Sequence, residues 1–443
     1  MANRKAYERI AKRLESGHLS RVAEDRRRRR LFGLRLIGGF VLTGAMLCLG
    51  LQSPAPATES WNLPARSDDL TPGESRSLSR EELDEGWISL FDGETLYGWR
   101  AASDANWRVE DGAITVDQGS RPSLLATTTQ FDCFRLSVDF WSSEETNSGI
   151  FLRTSPSPAD PTSDCIELNI AAPDVSPFPT GSLVGRKAID LELESNVWRR
   201  LIVDVLPSRV VVSIDGQEVL SEAITSPMGR GFVGLQYNQG PVKFRNLFLK
   251  PTRMHSLFSG KDLNGWRTYP QMATEASTTE DGSLRLVGGR GQIETIGAYD
   301  DFVLQLQART GGAGMNSGVF FRCIPTEEMN GYEVQIQNEI ENQDPTRPVD
   351  CGTGGVFRRV DARRVNAIDE TWFSMTIVAV GPHVSVWVDG LQVTDWHDER
   401  DPDLNPRRGL RTEAGTIMLQ GHDPGTDVSF RRIHIAEHQQ RKR

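Results

Sequence analysis

"VSIDGQEV", residues 212–219, places an Asp-Gly pair between two short runs rich in β-branched residues. That pattern is a strong hairpin signal, because Asp and Gly tolerate the positive φ angles of a two-residue turn. The same arrangement returns at 386–393 as "VWVDGLQV". "EDGAITV" and "EDGSLRL" are hairpin-like for the same reason.

Working outward, the rest of the chain repeats in the same order. "SLFDGETLYGWR" (89–100) matches "SLFSGKDLNGWR" (256–267), and "NSGIFLR" (147–153) matches "NSGVFFR" (316–322). "TGSLVGR" (180–186) matches "TGGVFRR" (353–359), and "GLQYNQGPVKFRNLFL" (234–249) matches "MLQGHDPGTDVSFRRIHI" (418–435). The offset lengthens only through loop insertions, so a domain has been duplicated. Short alternating runs such as "FRLSVDFW", "WRRLIVDVL" and "WFSMTIVAV" sit between Gly, Pro, Asn and Asp turns. No stretch after residue 85 has a long helical period. The expected fold is all-β, with two antiparallel sheets packed face to face in each copy. The expected domains are 85–251 and 254–440.

Net charge is −10 over 443 residues, but it is unevenly spread. Residues 1–35 hold twelve Lys/Arg against four acids, which leaves the remainder at −18. An acidic body of this kind excludes nucleic acid as the expected partner. In "RRRRRLFGLRLIGGFVLTGAMLCLGL" an arginine cluster precedes about twenty mostly apolar residues, the length needed to cross a bilayer. We therefore expect a basic cytoplasmic segment (1–30), a membrane anchor (31–51) and a Pro/Ser/acid-rich flexible linker (52–84). The C-terminal domains are expected to be exported, periplasmic or extracellular. A cleaved signal peptide ending near "APA" (55–57) is the runner-up. Cys133 and Cys165 in one copy, and Cys323 and Cys351 in the other, permit one disulfide per domain in an oxidising compartment.

The ordered string "LF-G-L-GW … NSG-F-R … GYE-Q … W … VDG--V-D … LQGHD … FRRIHI" resembles the 3-keto-disaccharide hydrolase domain family. The resemblance is loose over 87–249 and close over 254–437. It implies a concanavalin-A-like jelly roll in each copy, and cleavage of glycosides whose sugar carries a ketone at carbon 3. It also implies an exported bacterial protein with a carbohydrate partner.

Strand alternation suggests where a site would lie. In "GYEVQIQNE" (331–339), Tyr332, Val334 and Ile336 face one way, and Glu333, Gln335 and Gln337 the other. Alternation likewise groups Asn316, Gly318, Phe320 and Arg322, and then Met418, Gln420 and His422. If these strands are neighbours, their polar faces converge. Amides and carboxylates there would hydrogen-bond sugar hydroxyls. A ketone at carbon 3 acidifies the carbon 2 proton, so the chemistry needs a base, a donor to the enolate oxygen and an acid at the leaving group. Glu333 and His422 are the candidates for proton transfer, and Asn316, Arg322, Gln335 and Gln420 for binding and polarisation. A divalent cation held by Glu333 or His422 is the alternative role for those two. "DWHDERDPD" (395–403) lacks an EF-hand order and reads as a solvated loop. Trp99, Trp198, Trp266 and Trp372 recur between copies and read as core or stapling aromatics.

The first copy keeps Asn147, Arg153, Glu167 and Gln236 but has Asn169 for Gln335 and Asn238 for His422. Asparagine exchanges no proton near neutral pH, so this copy is expected to bind without turnover or to support the second. The competing class is a non-catalytic, lectin-like glycan-binding protein.

Overall fold

The computed structural model describes residues 76–119, 123–158, 160, 163–224 and 229–438. The basic segment, the expected membrane anchor and most of the expected linker lie outside the described residues. Among the described residues no helix is long and apolar enough to cross a membrane.

Four antiparallel sheets form two β-sandwiches, an arrangement consistent with two jelly rolls. In the second copy the five-stranded sheet runs Trp266–Thr268, Gly291–Thr295, Thr416–Gly421, Ser317–Cys323, Tyr332–Ile336. The first copy repeats this order with Trp99–Ala101, Ser123–Phe131, Gly231–Gln239, Asn147–Thr154 and Ile166–Ala171. An eight-stranded sheet backs each of them. Asp215 and Gly216 (φ 48° and 82°), and Asp389 and Gly390 (φ 45° and 76°), make the hairpin turns expected of the two Asp-Gly pairs.

Each sandwich is filled by the inward residues of its two sheets. In the second copy Val319, Phe321, Tyr332, Val334, Ile336, Ile417 and Leu419 meet Leu304, Phe373, Ile377 and Val386. Trp99 and Trp266 act as matched staples, their indole N–H groups donating to the carbonyls of Leu90 (2.6 Å) and Leu257 (2.7 Å). Arg245 lies over the Trp198 ring and Arg431 over Trp372, each at 4.1 Å.

The copies pack together, and the sequence shows why. In "IVAV" (377–380) four apolar residues run without alternation, so both faces of that strand are buried. Ile377 and Ala379 face their own core, while Val378 and Val380 join the core cluster of the first copy with Val303 and Trp387. Trp387 is 1% exposed, its ring lies 6.3 Å from that of Phe131, and its N–H donates to the Ser89 carbonyl. Thr129–Ser385 (2.7 Å), Arg230–Asp301 (2.7 Å) and Arg363–Asp92 (2.9 Å) complete the junction.

The end of the expected linker is structured. Residues 80–84 form an α-helix capped by Ser79 and Glu82, a reciprocal capping box written in "SREE". Asp84 receives Gln307 from the second copy, and the Arg76 backbone N–H donates to Asn246 of the first.

No disulfide joins any two of the four described cysteines, so the disulfides permitted by the sequence are not formed. In the second copy the reason is distance. Cys351 follows Asp350, which binds Asn316 at one end of a strand. Cys323 ends that strand roughly 20 Å away at about 3.3 Å per residue, beyond the reach of a disulfide.

Candidate active site

The face of interest is the side of the second copy's five-stranded sheet turned away from its core. Strand registers lay it out in rows. Gln335 pairs with Gly318, and Gln420 with Gln292, and the Val319–Leu419 pair sets Gly318 beside Gln420. In the next row Glu333 pairs with Phe320, Phe320 with Met418, and Met418 with Glu294. Polar groups from three of these four strands therefore share one surface.

Glu333 is half-buried; its backbone carbonyl accepts from the Phe357 N–H, but its carboxylate has no hydrogen-bond or ion-pair partner among the described residues. Its carboxylate leans across Gly318, where an added Cβ would stand 2.7 Å from Glu333 Oε1. Burial, and next the nearby Asp350 charge, push its pKa up to about 7, against the opposing pull of Arg407, Arg358 and Arg290. A carboxyl held at that value exchanges protons near neutral pH, as a general base must.

Gln335 donates to Asn316 Oδ1 and Asp350 Oδ2, both at 3.2 Å, and Asn316 donates to the same Asp350 oxygen at 2.9 Å. Gln420 reaches Met329 Sδ at 3.3 Å. The side-chain carbonyl oxygens of Gln335 and Gln420 are buried without a hydrogen-bond partner. Buried acceptors normally have partners, so this surface is short of donors, which sugar hydroxyls supply.

Two expected members stand apart. Arg322 belongs to a β-bulge: its φ is 48°, and the register slips between Phe320 and Cys323. The bulge turns the side chain off the polar face. Its guanidinium is 1% exposed and donates to the carbonyls of Asp300 (2.8 Å), Gly381 (2.6 Å) and Arg411 (3.2 Å), and to Asp301 (3.0 Å). Arg153 repeats this in the first copy with φ 50° and a bond to the Asp132 carbonyl at 2.6 Å. His422 lies one residue beyond its strand, with its side chain 40% exposed and Nδ1 3.1 Å from Asp423 Oδ2. Among the described residues its hydrogen bonds go to Thr426 and Asp423, not to Glu333.

Other residues of this face were not singled out from the sequence. Glu294 is fully buried, accepts from the Tyr269 hydroxyl and the Thr326 backbone N–H, and pairs with Arg267 at 3.2 Å. It lies three strands from Glu333, about 14 Å at 4.8 Å per strand, with Phe320, Met329 and Met418 clustered on the face they share. Met329 arrives on the loop 324–331, its N–H donating to Gln292 Oε1 at 2.6 Å. Asp350 comes from a loop, where strand alternation gives no signal.

In the matching rows of the first copy Glu167 pairs with Phe151, Gly149 with Asn169, and Gln236 with Leu124. Leu124 and Ala126 replace Gln292 and Glu294, and they join Phe151 and Cys165 in an apolar cluster. Burial raises the pKa of Glu167, with the Gln236 amide opposing. Asn147 is half-buried at the start of its strand.

For the alternative of a bound cation, among the described residues no three His, Cys, Asp or Glu side chains cluster as metal ligands. In "DWHDERDPD", Asp398 binds Arg400 (2.7 Å) and the Tyr332 hydroxyl, Asp395 binds His383 (2.6 Å), and Asp403 binds Arg408.

The second copy is thus a β-sandwich that gathers a titratable carboxyl and several amides on one outer face. The chain is a member of the 3-keto-alpha-glucoside-1,2-lyase-like domain family, whose model matches residues 86–250 and again 253–436. It is 28% identical over 123 residues to a 3-keto-disaccharide hydrolase of Bacteroides thetaiotaomicron, covering 24% of this chain and 41% of that relative's length. A solved structure of a candidate glycosyl hydrolase from Parabacteroides distasonis is 27% identical, covering 42% of this chain and all of that one, with a TM-score of 0.34. A carbohydrate-binding module of Bacillus subtilis is 14% identical, covering 34% of this chain and 95% of that one, with a TM-score of 0.28.

Proposed function

We propose that the second copy cleaves glycosides of 3-keto sugars, with Glu333 as the base. The observation that carries this reading is the unpartnered Glu333 carboxyl, held near pKa 7 over Gly318. Ionised Glu333 takes the proton from carbon 2, and the C–H electron pair moves toward the ketone to give an enolate. Collapse of the enolate expels the carbon 1 substituent, whose oxygen receives a proton. Water then adds across the new double bond, and the sum is hydrolysis. Arg358, Arg407 and Arg290, whose charges favour ionised Glu333, take the polarising role first assigned to Arg322. His422, beside the row of Gln420, is the proton donor we assign to the leaving group. Asn316, Gln335 and Gln420 orient the sugar. The relative's name, a 3-keto-disaccharide hydrolase, agrees with this substrate class.

The first copy supports a different role. With Asn238 in place of His422, and Leu124 and Ala126 on its outer face, it binds glycan without turnover or only braces the second copy. We further propose that the arginine cluster and the apolar stretch of residues 26–51 anchor the chain in a membrane with both sandwiches exported.

Glu333→Gln and His422→Ala, assayed on a chromogenic 3-keto-glucoside, test the assignment. Glu333→Gln is expected to lower kcat by about 10²–10⁴-fold, the usual contribution of a general base. It should also abolish deuterium exchange at carbon 2. Retained turnover and exchange would overturn the role of Glu333. Sugar affinity with no turnover in the wild-type protein would favour the lectin-like alternative.

A further inference from the structure

We propose that Asp350 is a positioning residue of this site, orienting the amides of Asn316 and Gln335 and setting the charge that faces Glu333. This rests on the reading of Glu333 as the base.

A carboxylate only accepts hydrogen bonds, so the two groups bonded to Asp350 Oδ2 are the amide nitrogens of Asn316 and Gln335. Asn316 Oδ1 also accepts from the Gln335 nitrogen. Both orientations are thereby settled, and the Gln335 carbonyl oxygen is left as a buried, unpaired acceptor. Buried acceptors are rarely left unsatisfied, so this arrangement is suited to receiving a ligand hydroxyl. The backbone is also committed to presenting this side chain. Asp350, Cys351 and Gly352 are consecutive left-handed residues with φ of 46°, 61° and 69°. Such conformations are costly outside glycine and cluster at functional sites.

Charged groups reach Glu333 from each neighbouring segment. Arg290 comes from the turn before the Gly291–Thr295 strand, Arg358 from the loop after "TGGVF", and Arg407 from the loop 402–410; all three favour its ionised form. The thiols of Cys323 and Cys351, which also lie near it, are pushed up by burial and stay neutral. Asp350 is the anion that opposes the three cations.

The first copy is an internal comparison. There Asn169, the counterpart of Gln335, donates to the Phe178 carbonyl and the Ser176 hydroxyl, and among the described residues no carboxylate accepts from its amide. The copy read as lacking turnover is therefore the copy whose corresponding amide has no carboxylate partner.

The test uses the full chain and a neutral chromogenic 3-keto-glucoside. It compares wild type, Asp350→Asn, Asp350→Ser and Glu333→Gln by kcat/KM against pH, with thermal midpoints recorded. The acidic limb, where Glu333 loses its proton, is expected to move to lower pH by about 1 unit in both neutral Asp350 variants. Their plateau kcat/KM is expected to fall about tenfold, as for other supporting residues around reactive groups. A purely structural role would lower the thermal midpoint and leave the limb in place. An unmoved limb in whichever Asp350 variant folds, with Glu333→Gln inactive, would overturn the inference and leave the proposed function standing. Full activity in Glu333→Gln would instead overturn the reading on which it rests.

Discussion

Gly318 matters for what it lacks. The Glu333 carboxylate occupies the space a β-carbon would fill, 2.7 Å from Oε1, while the glycine's strand conformation is open to alanine. Gly318→Ala is therefore expected to displace the carboxylate without unfolding the strand. A displacement of about 1 Å at a reacting group costs on the order of 10²-fold. We expect kcat/KM to fall by at least tenfold with the circular dichroism spectrum unchanged, and activity equal to wild type would show that Glu333 works from another position. The pH dependence has a definite sign. Glu333 is raised to about 7 by burial and Asp350, so the ionised base accumulates as pH rises through that value. On a neutral substrate kcat/KM should climb between about pH 6 and 8. A profile already flat at pH 5 would exclude this group as the titrating base.

At the scale of single strands, period-two alternation carried the reading as far as the pairing is regular. It put Tyr332, Val334 and Ile336 inside and Glu333 and Gln335 outside, as the strand lies. It failed at Arg322 because one bulged residue reverses the faces beyond it. The partner signal lay nearly a hundred residues away. A Cβ on Gly415 would stand 2.4 Å from the Arg322 carbonyl carbon, as one on Gly231 would stand 2.3 Å from that of Arg153. Glu294 escaped notice because "GQIETIG" matches no repeated motif, and Asp350 because its loop has no period. The bulge makes its own prediction. Arg322 replaces four protein–water contacts with bonds to Asp300, Asp301, Gly381 and Arg411, and removing one partner from a buried ion pair costs about 3–5 kcal/mol. Arg322→Ala should lower stability by about that amount in urea unfolding, and a loss below 1 kcal/mol would mean that the bulge stands without it.

For the whole molecule, the duplication left two sandwiches that share a core. Four apolar positions on the outer face of the second copy's eight-stranded sheet, Val303, Val378, Val380 and Trp387, are covered by the first copy. The candidate site lies on the far side of the same sandwich, on the outer face of the five-stranded sheet. Docking and chemistry thus use opposite surfaces, which makes them separable by mutation. Trp387→Ala removes a fully buried ring from the junction, along with its bond to the Ser89 carbonyl. Truncating a buried Trp costs about 3–5 kcal/mol, here charged mainly against the coupling between copies. Calorimetry of the full chain should therefore resolve two unfolding transitions in the variant where the wild type shows one, with the first below the wild-type midpoint. Because the site residues do not touch Trp387, kcat/KM at 25 °C should stay within about twofold of wild type, as expected for distant, independent positions. A single transition at the wild-type midpoint would show that the junction contributes little. Two transitions with activity lost would show that the second copy needs the first in order to work.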